Sequence, residues 1–363
     1  MQEESRVTGF APTPDAGLVA GFIIISIMKK IRWGVLSTAA IGIEKVIPAM
    51  QAGTMTTVDA IASRDLCRAR QAAEALGIDR AYGSYEELLA DPEIDAVYNP
   101  LPNQLHVPWT IRAAEAGKHV LCEKPLGMDA SDAARLLEVE RSTGVKIGEA
   151  FMVDTAPQWV RVEQLLREGA IGRLLSIAGV FSYHNTDPAN IRNQLESGGG
   201  ALLDIGCYLI HAARHAFGQE PQRVVASIDR HPASGVDRLT SMMLEFAAGQ
   251  AIFTCSTQMI PYQRIQFFGE TGRIEIEIPF NMPPDRATRI FIDRDGDLFG
   301  SKIAAEIFPT CDQYRLQGDA FSRAILEDSP VPVPVLDGVR NMATIDAAFA
   351  SARNGRWEAP QRF

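Results

Sequence analysis

One short segment of the chain brings together residues that could handle a proton. Asp204, Tyr208 and His211 are spaced i, i+4 and i+7, so in a helix they share one face. The run Gly198-Gly199-Gly200 comes just before them and would let backbone approach a bound molecule closely at the helix start. A tyrosine can exchange a proton with an alcohol or carbonyl oxygen, but with a reference pKa of about 10 it needs a nearby cation to act as a base at neutral pH. The segment therefore predicts a helix that carries proton-transfer chemistry.

A second candidate site follows the first apolar run of the chain. Ser37, Ala39 and Gly42 occupy the three positions of a dinucleotide-binding turn, with Thr38 and Ile41 between them. Small side chains let the backbone approach a pyrophosphate whose charge faces the start of the next helix. We therefore expect this turn to bind a dinucleotide cofactor. The alternative is a small-residue turn that serves packing alone.

The end of the second predicted strand indicates which dinucleotide binds. About 20 residues after the turn, an NAD enzyme places a carboxylate that binds the ribose 2′-hydroxyl. This chain has Ser63 and Arg64 there, with Arg68 one helical turn further on. An arginine binds a 2′-phosphate through charge-assisted hydrogen bonds and cannot replace the carboxylate. The pattern predicts NADP as the cofactor. The alternative is that Arg64 only caps the helix that begins near Asp65.

These residues need elements that position them, and the first half of the chain predicts a parallel sheet. Short apolar runs alternate there with amphipathic helical patterns, which is typical of βαβ units. The predicted strands are Ile31 to Leu36, Val58 to Ser63, Ala96 to Tyr98, His119 to Cys122 and Lys146 to Glu149. We expect an N-terminal Rossmann domain over residues 28–150, with a doubly wound parallel sheet.

After residue 151 the pattern changes to long alternating segments that predict antiparallel strands. They follow a helix near Pro157 to Glu168 and precede two helices near Gln313 to Leu326 and Gly338 to Ala352. The predicted strands are Leu174 to His184, Arg223 to Arg230, Leu239 to Phe246, Gln250 to Met259, Arg264 to Phe268, Arg273 to Ile278 and Arg289 to Ile292. The fold class is therefore α/β, with a C-terminal α+β domain over residues 151–363 built on a large, mostly antiparallel open sheet. We expect its last helix to pack back on the Rossmann domain.

Composition limits the partners and the compartment. The chain has 363 residues and a formal net charge of -10, with basic residues scattered among acidic ones, so no nucleic-acid footprint is visible. Its five cysteines are far apart and lack zinc-ligand spacing, so we expect no metal and a reducing, cytoplasmic location. The apolar run Leu18 to Met28 is too short to span a membrane. We interpret residues 1–27 as an extension without a fold of its own; the alternative is an arm on a neighbouring subunit or over the cofactor.

Three separated motifs carry a resemblance to a known family. The segments from Asn99 to His106, from Glu123 to Pro125 and from Gly198 to Tyr208 together resemble the Gfo/Idh/MocA oxidoreductases. Tyrosine at 208 is similar to the branch containing dimeric dihydrodiol dehydrogenase, NADP-dependent D-xylose 1-dehydrogenase and glucose-fructose oxidoreductase. The resemblance implies a sheet-mediated homodimer or higher homo-oligomer, and a nicotinamide site that Lys124 and Tyr208 face and Asp204 shares. It implies that the nicotinamide ribose is bordered by Glu123 and by the loop containing Leu101, Pro102, Asn103 and His106.

The resemblance also supplies the missing cation. We hypothesise that Lys124 lowers the pKa of Tyr208, a change of two units that needs about 2.7 kcal/mol. Tyr208 would then be general base in oxidation and general acid in reduction, and Lys124 would also hold the substrate oxygen. Asp204 would orient Lys124 or the sugar hydroxyls. The alternative for Tyr208 is a buried aromatic residue with a satisfied hydroxyl.

Substrate contacts are expected on the segment before the glycine run. Asp187, Asn190 and Arg192 resemble the relatives' stretch beside the sugar, and we expect Asn190 and Arg192 to bind substrate. His211 is a further candidate, with a core or supporting histidine as the alternative. Relatives commonly have a tyrosine-arginine pair and a histidine where this chain has residues 153–156, Val-Asp-Thr-Ala. The departure predicts a substrate pocket unlike the usual aldose site.

Three functions remain open at this point. The first is an NADP-dependent dehydrogenase acting on a sugar or a trans-dihydrodiol. The second is an aldose-aldose or ketose oxidoreductase that keeps its nucleotide bound, which only the N-terminal extension favours. The third is a non-catalytic nucleotide sensor, against which the joint presence of Lys124, Asp204 and Tyr208 argues.

Overall fold

The structure is a computed structural model that describes residues 29–294 and 296–363. The predicted extension over residues 1–27 lies outside the described residues. Among the described residues, no helix is both long enough and apolar enough to cross a membrane.

The first sheet has six parallel strands whose apolar residues are covered on both faces. Its order is β3-β2-β1-β4-β5-β6, which is the order of a Rossmann fold. Every residue of the fourth strand is buried, as a central strand between two helical layers requires. The strands are β1 Ile31–Leu36, β2 Thr56–Ala62, β3 Arg80–Tyr82, β4 Ala96–Asn99, β5 His119–Cys122 and β6 Ile147–Glu149.

The helices begin and end at residues with clear capping chemistry. Asp65 caps the second helix by accepting hydrogen bonds from the N–H groups of Cys67 and Arg68, and Gly77 ends it at a φ of 65°. The helices are α1 Ile47–Gln51, α2 Leu66–Leu76, α3 Tyr85–Leu89, α4 His106–Glu115, α5 Ala130–Thr143, α6 Pro157–Arg167, α7 Cys207–Phe217, α8 Gln313–Leu326 and α9 Val335–Asn354. Shorter helical turns are Gly42–Val46 and Leu202–Gly206 (π-helical), and Asn103–Leu105, Met152–Thr155, Ile191–Asn193 and Leu195–Ser197 (3₁₀).

The second sheet has eight strands in the order β14-β13-β12-β11-β7-β10-β9-β8. Only β7 and β10 pair in parallel, and the other neighbours are antiparallel. The predicted α/β class, with a parallel sheet followed by a mostly antiparallel one, is therefore confirmed. The strands are β7 Leu174–His184, β8 Arg223–Arg230, β9 Asp237–Glu245, β10 Gln250–Ser256, β11 Gln258–Gly269, β12 Arg273–Ile276, β13 Thr288–Asp293 and β14 Ala304–Phe308.

Two strands of the structure are absent from the sequence prediction. β3 is a three-residue edge strand, and β14 is a five-residue strand with no fully buried residue. Neither carries the period-2 apolar signal on which strand prediction depends. The predicted segments from Gln250 to Met259 and from Arg264 to Phe268 are also divided differently, because β11 already begins at Gln258 and passes through a bulge before Tyr262.

The last two helices return to the first sheet. The ring of Phe321 on α8 packs 5.6 Å from that of Trp33 on β1, and the Trp33 indole donates a hydrogen bond to Ser322 Oγ. Helix α9 packs against α5, and Pro334 just before it forms a bridge to Gly148 of β6. Helices α8 and α9, which follow the second sheet in the chain, thus pack on the first sheet. A cleft opens between the two sheets at the ends of the parallel strands.

Candidate active site

The cleft has a volume of about 680 Å³ and contains most of the residues that the sequence singled out. It is bordered by the turn after β1, the loop after β4, the segment after β5 and the start of the helix before α7. The predicted residues that line it are Ser37, Ala39, Ile41, Leu101, Pro102, Asn103, His106, Glu123, Lys124, Arg192, Asp204 and Tyr208. Residues separated by up to 171 positions in the chain are therefore brought to one cavity.

The turn after β1 has the backbone geometry of a dinucleotide-binding turn. Ser37 adopts a φ of 105°, a conformation that glycine usually provides, and its hydroxyl accepts a hydrogen bond from the N–H of Ala39. The helix begins at Ala40, so its first N–H groups face the cleft where a pyrophosphate would bind. Thr38 and Gly42 belong to the same turn without lining the cleft. These backbone N–H groups are suited to bind the pyrophosphate of a dinucleotide cofactor.

The end of β2 fits the additional phosphate of NADP. Ser63 is buried and its hydroxyl accepts the N–H of Asp65, while Arg64 is exposed beside the Tyr85 hydroxyl. The nearest carboxylate, Asp65, is occupied in capping α2, so the alternative that Arg64 provides this cap is wrong. Arg68 is also exposed and lies 3.7 Å from Asp65. Neither arginine lines the cleft itself.

A buried ion pair joins the two halves of the cleft. The Lys124 ammonium donates to the Asp204 carbonyl at 2.7 Å and to the Asp204 carboxylate at 3.1 Å. Arg192 Nε donates to the same carboxylate at 3.2 Å, and the Tyr183 hydroxyl also donates to it. Burial alone would raise the pKa of Asp204, but Lys124 and Arg192 lower it to about 2. Burial alone would lower the pKa of Lys124, yet Asp204 outweighs it and the pKa is raised. Both groups are charged at neutral pH.

Tyr208 lies beside this pair, but not as the sequence analysis expected. The Lys124 ammonium sits 5.1 Å from the centre of the Tyr208 ring, and the phenol donates to the sulfur of Met152 at 3.4 Å. Burial, followed by the negative charge of Glu123, raises the pKa of Tyr208 well above its usual value. The expectation that Lys124 lowers this pKa is therefore wrong for this state, because the ammonium is turned toward Asp204. The phenol is protonated at neutral pH.

The loop after β4 is held by its own polar side chains. Asn103 donates to the carbonyl of Gly198, which ties the loop to the glycine run. His106 is buried with its ring nitrogens 2.6 Å and 2.7 Å from the carbonyls of Leu101 and Pro125. Burial lowers the pKa of His106 to about 4, so its neutral ring donates to one of these carbonyls at a time. His106 thus borders the cleft as a residue that shapes the loop.

Two predicted substrate contacts lie outside the cleft lining, and both assignments are corrected. Asn190 uses its side chain to accept the N–H of Arg192 and so caps a short turn. His211 lies behind Phe151 and is bonded to Asp154 at 2.7 Å. The shared helix face does not bring His211 to the cleft, because Tyr208 lines the cleft whereas His211, three residues further along α7, is buried against Phe151.

The departure from the family pattern at residues 153–156 also has a different consequence from the one expected. None of these four residues lines the cleft, and only the preceding Met152 does. Val153 and Ala156 are buried, and Asp154 pairs with His211. The departure therefore changes residues that pack behind Tyr208, and it does not change the residues that line the substrate cleft.

Several cleft residues escaped the sequence analysis. Tyr183, the next-to-last residue of strand β7, and the nearby Asn185 both line the cleft. Asn281 comes from a distant loop and Tyr314 from α8. Tyr183 was within a predicted strand, so its position at the strand end was a usable signal. Asn281 and Tyr314 carry no local pattern, since only the tertiary fold brings them to the site.

The helix that carries Asp204 and Tyr208 starts at a position that only glycine fits. Gly200 has a φ of 121°, and a Cβ there would overlap the carboxylate of Asp237. That carboxylate accepts the N–H of Leu202 at 2.6 Å and the Thr240 hydroxyl at 3.1 Å, and so caps the helix start from strand β9. The glycine run is thus needed to make room for the Asp237 cap of this helix, as well as to let a ligand approach the backbone closely.

Comparison with known proteins agrees with the two-sheet organisation. Residues 31–151 match the GFO/IDH/MocA oxidoreductase family with an NAD-binding Rossmann fold, and residues 159–275 match the GFO/IDH/MocA C-terminal domain. An uncharacterized oxidoreductase of Rhizobium meliloti is 48% identical over 91% of this chain and 99% of its own length. A D-xylose 1-dehydrogenase (NADP(+)) of Haloferax volcanii is 39% identical over 89% of this chain and 98% of its own length.

A solved structure shows the same architecture with nucleotides bound. The crystal structure of a 3-ketoreductase from Actinomadura kijaniata, in complex with NADP and TDP-benzene, superposes with a TM-score of 0.82. It is 34% identical in sequence, and the match covers 89% of this chain and 98% of that chain.

We predict that Gly200→Ala destabilises the protein by more than about 3 kcal/mol, because it combines an unfavourable φ with an overlap on Asp237. Gly218→Ala is the matched control, since Gly218 ends α7 at a φ of 62° with no atom within 4 Å of an added Cβ. It should cost only about 1 kcal/mol. Urea unfolding measures both values, and equal losses would contradict the role of Asp237.

Proposed function

The chain belongs to the Gfo/Idh/MocA family of oxidoreductases, and on this premise we propose that it is an NADP-dependent enzyme that acts on a sugar or a trans-dihydrodiol. The proposal is that a hydride passes between the nicotinamide and a carbon that carries a hydroxyl or carbonyl group. The observation that carries it is the group formed by Lys124, Asp204 and Tyr208 in the same cleft as the turn after β1.

The proposed cofactor site uses residues of the first sheet. The turn from Ser37 to Gly42 would hold the pyrophosphate, and Glu123 with the loop after β4 would border the nicotinamide ribose. Ser63 and Arg64 would hold the 2′-phosphate, because the neighbouring carboxylate of Asp65 is bonded to backbone N–H groups at the start of α2. When bound, the nicotinamide supplies or accepts the hydride. NADP use by a D-xylose dehydrogenase relative and NADP in the ketoreductase structure support this assignment.

The protonation states support Tyr208 as a general acid. A phenol kept neutral by burial can donate its proton to an oxygen that gains negative charge during carbonyl reduction. Lys124 would hold that oxygen with its ammonium, and Asp204 would keep the ammonium charged and aimed at the cleft. Oxidation would require Tyr208 to lose its proton first.

Arg192 and Tyr183 complete the proposed substrate end. Both bond the Asp204 carboxylate and both line the cleft, so their remaining hydrogen-bonding groups are available to neighbouring hydroxyls. Phe181 and Tyr314 add aromatic faces, which suit the C–H faces of a sugar ring or a dihydrodiol.

We also propose that two copies associate through the open face of the second sheet. Ile252 is 46% exposed and points away from the buried Ala251 and Phe253. It stands in a cross-strand row with Met243 and Ala178, so the exposed face carries an apolar row that an equivalent face could cover.

We predict that Arg64→Asp lowers the preference for NADP over NAD by about ten- to a hundredfold, the value of one lost charge-assisted hydrogen bond of about 1.5–3 kcal/mol. Arg70→Asp is the control, because Arg70 is an exposed residue of the same helix α2 that was not assigned to the cofactor site. The ratio of kcat/KM for the two cofactors measures the change. An unaltered ratio in Arg64→Asp would remove Arg64 from the cofactor site.

The test of the function is absorbance at the reduced-nicotinamide band after adding D-xylose, D-glucose or a trans-dihydrodiol, with and without NADP. We expect the band to grow only with added NADP, and Tyr208→Phe to keep less than a tenth of the wild-type kcat. Tyr82→Phe, on edge strand β3, is the control and should keep full activity. A band present from the start that bleaches with a second sugar would indicate a captive cofactor instead. Full activity in Tyr208→Phe would contradict the proton-donor role.

We predict that Ile252→Arg converts the proposed dimer to monomers, because it places a charge in the centre of the apolar row. Leu298→Arg is the control, since Leu298 is fully exposed on the connection between β13 and β14. Sedimentation equilibrium gives the masses. A monomeric wild type, or a dimer that survives Ile252→Arg, would count against this interface.

A further inference from the structure

A buried ion pair lies behind the proposed proton donor. His211, on α7 three residues after Tyr208, has a side chain only 2% exposed. Its Nε2 is 2.7 Å from the carboxylate of Asp154, which lies in the turn Met152–Thr155. Neither residue lines the cleft, so neither has a place in the chemistry described above.

The turn that carries Asp154 touches Tyr208 through two side chains. Phe151 stacks on the His211 ring, with centroids 4.2 Å apart and planes at 9°, and meets the Tyr208 ring edge-on at 5.1 Å and 89°. The neighbouring Met152 accepts the hydrogen bond of the Tyr208 hydroxyl. The ring and the hydroxyl of Tyr208 are therefore both held by a turn that the Asp154–His211 pair fixes to α7.

The charges around His211 keep it a cation. Burial lowers its pKa, but Asp154 and Asp337 more than compensate and raise it to about 10. On its own helix, Arg214 is bonded to Asp337 at 2.8 Å and His215 is 3.3 Å from the same carboxylate. From β6, Glu149 faces the cluster with both carboxyl oxygens unpaired, and burial raises its pKa to about 8. An imidazolium with carboxylates near both nitrogens is therefore the stable form at neutral pH.

We propose that Asp154 and His211 are positioning residues for Tyr208, which fix the direction of its hydroxyl in the cleft through Phe151 and Met152. The inference rests on the proposed function of Tyr208 as proton donor. A proton transfer depends on heavy atoms at hydrogen-bond distance, and displacement by about 1 Å can cost a hundredfold in rate. Within residues 29–294 and 296–363, the one hydrogen-bond acceptor of the Tyr208 hydroxyl is a thioether, so packing has to supply the orientation that a stronger acceptor would otherwise provide.

A bound metal is the competing occupant of the cluster. Asp154, His211 and His215 each offer a ligand atom, and these atoms lie within 4.8 Å of one another. Two observations favour a hydrogen bond between Asp154 and His211 over a bound metal ion. The Asp154–His211 separation is already that of a hydrogen bond, and the Arg214 guanidinium beside Asp337 repels a second cation.

The test compares Asp154→Asn with Glu163→Gln. Both replace a carboxylate that borders the same small cavity beside His211, but Glu163 is exposed and makes no bond to His211. We expect Asp154→Asn to lower kcat about tenfold or more while KM for the sugar and Kd for NADPH stay within about twofold. Glu163→Gln should match wild type, and Asp154→Glu, which keeps the charge, should recover part of the lost kcat. If Asp154→Asn does not fold, His211→Gln removes the same pair.

A spectroscopic readout separates this inference from the proposed function. With 3-fluorotyrosine at position 208, the ¹⁹F resonance should shift or broaden in Asp154→Asn and stay unchanged in Glu163→Gln, even in a protein that turns over no sugar. Wild type without activity would then count against the proposed function alone. An unmoved resonance or an unchanged kcat in Asp154→Asn would overturn the positioning role. Loss of activity after EDTA dialysis, restored by Zn²⁺, would also overturn it in favour of a metal.

Discussion

The buried contact between Lys124 and Asp204 is the interaction on which the rest of the site depends. Lys124 follows strand β5 of the first sheet, and Asp204 begins the helix of the second unit, so the contact joins the two halves of the chain. Two charges taken out of water are stable only when geometry and additional hydrogen bonds compensate for lost hydration. Arg192 and Tyr183 provide those bonds to Asp204, and the ammonium takes the Asp204 carbonyl as well. A charged lysine can therefore lie beside the reacting oxygen only because these surrounding polar groups stabilise the pair that it forms with Asp204.

That requirement explains features distant from the contact itself. Asp204 must hold its place at the first turn of a helix, and Asp237 caps that turn from the second sheet. The cap needs the space that Gly200 leaves open. Tyr208, one turn later, lies among Phe151, Phe181 and Phe280, which shield its ring from water and keep its hydroxyl neutral. Burial among these rings keeps Tyr208 protonated, as a proton donor requires, and it outweighs the lowering of the Tyr208 pKa that was expected from Lys124.

The sequence was informative where a local pattern has one structural solution. Apolar runs such as Ile31 to Leu36 predicted the parallel strands, because a strand covered on both faces must be apolar throughout. The three motifs predicted much of the cleft lining, since two of them follow parallel strands that end at the same edge of the first sheet, and the third meets them through the bond between Lys124 and Asp204. Prediction failed where the structure departs from regular geometry or depends on distant packing. The bulge in β11 divided the strands differently from the prediction, and His211 packs behind Phe151 instead of lining the cleft. Tyr314 reaches the cleft only because α8 folds back on the first sheet.

The return of α8 to β1 has a consequence for synthesis on the ribosome. Strand β1 contains Trp33, whose ring and indole N–H are covered by Phe321 and Ser322 of the much later helix α8. The N–H groups of Thr54 and Met55 likewise donate to the carboxylate of Asp319, so they have this partner only once α8 is present. Until α8 leaves the exit tunnel, this face of the nascent Rossmann sheet stays uncovered and exposes apolar surface. The Rossmann sheet is thus completed only after the whole second sheet has been synthesised, because α8 follows that sheet in the chain.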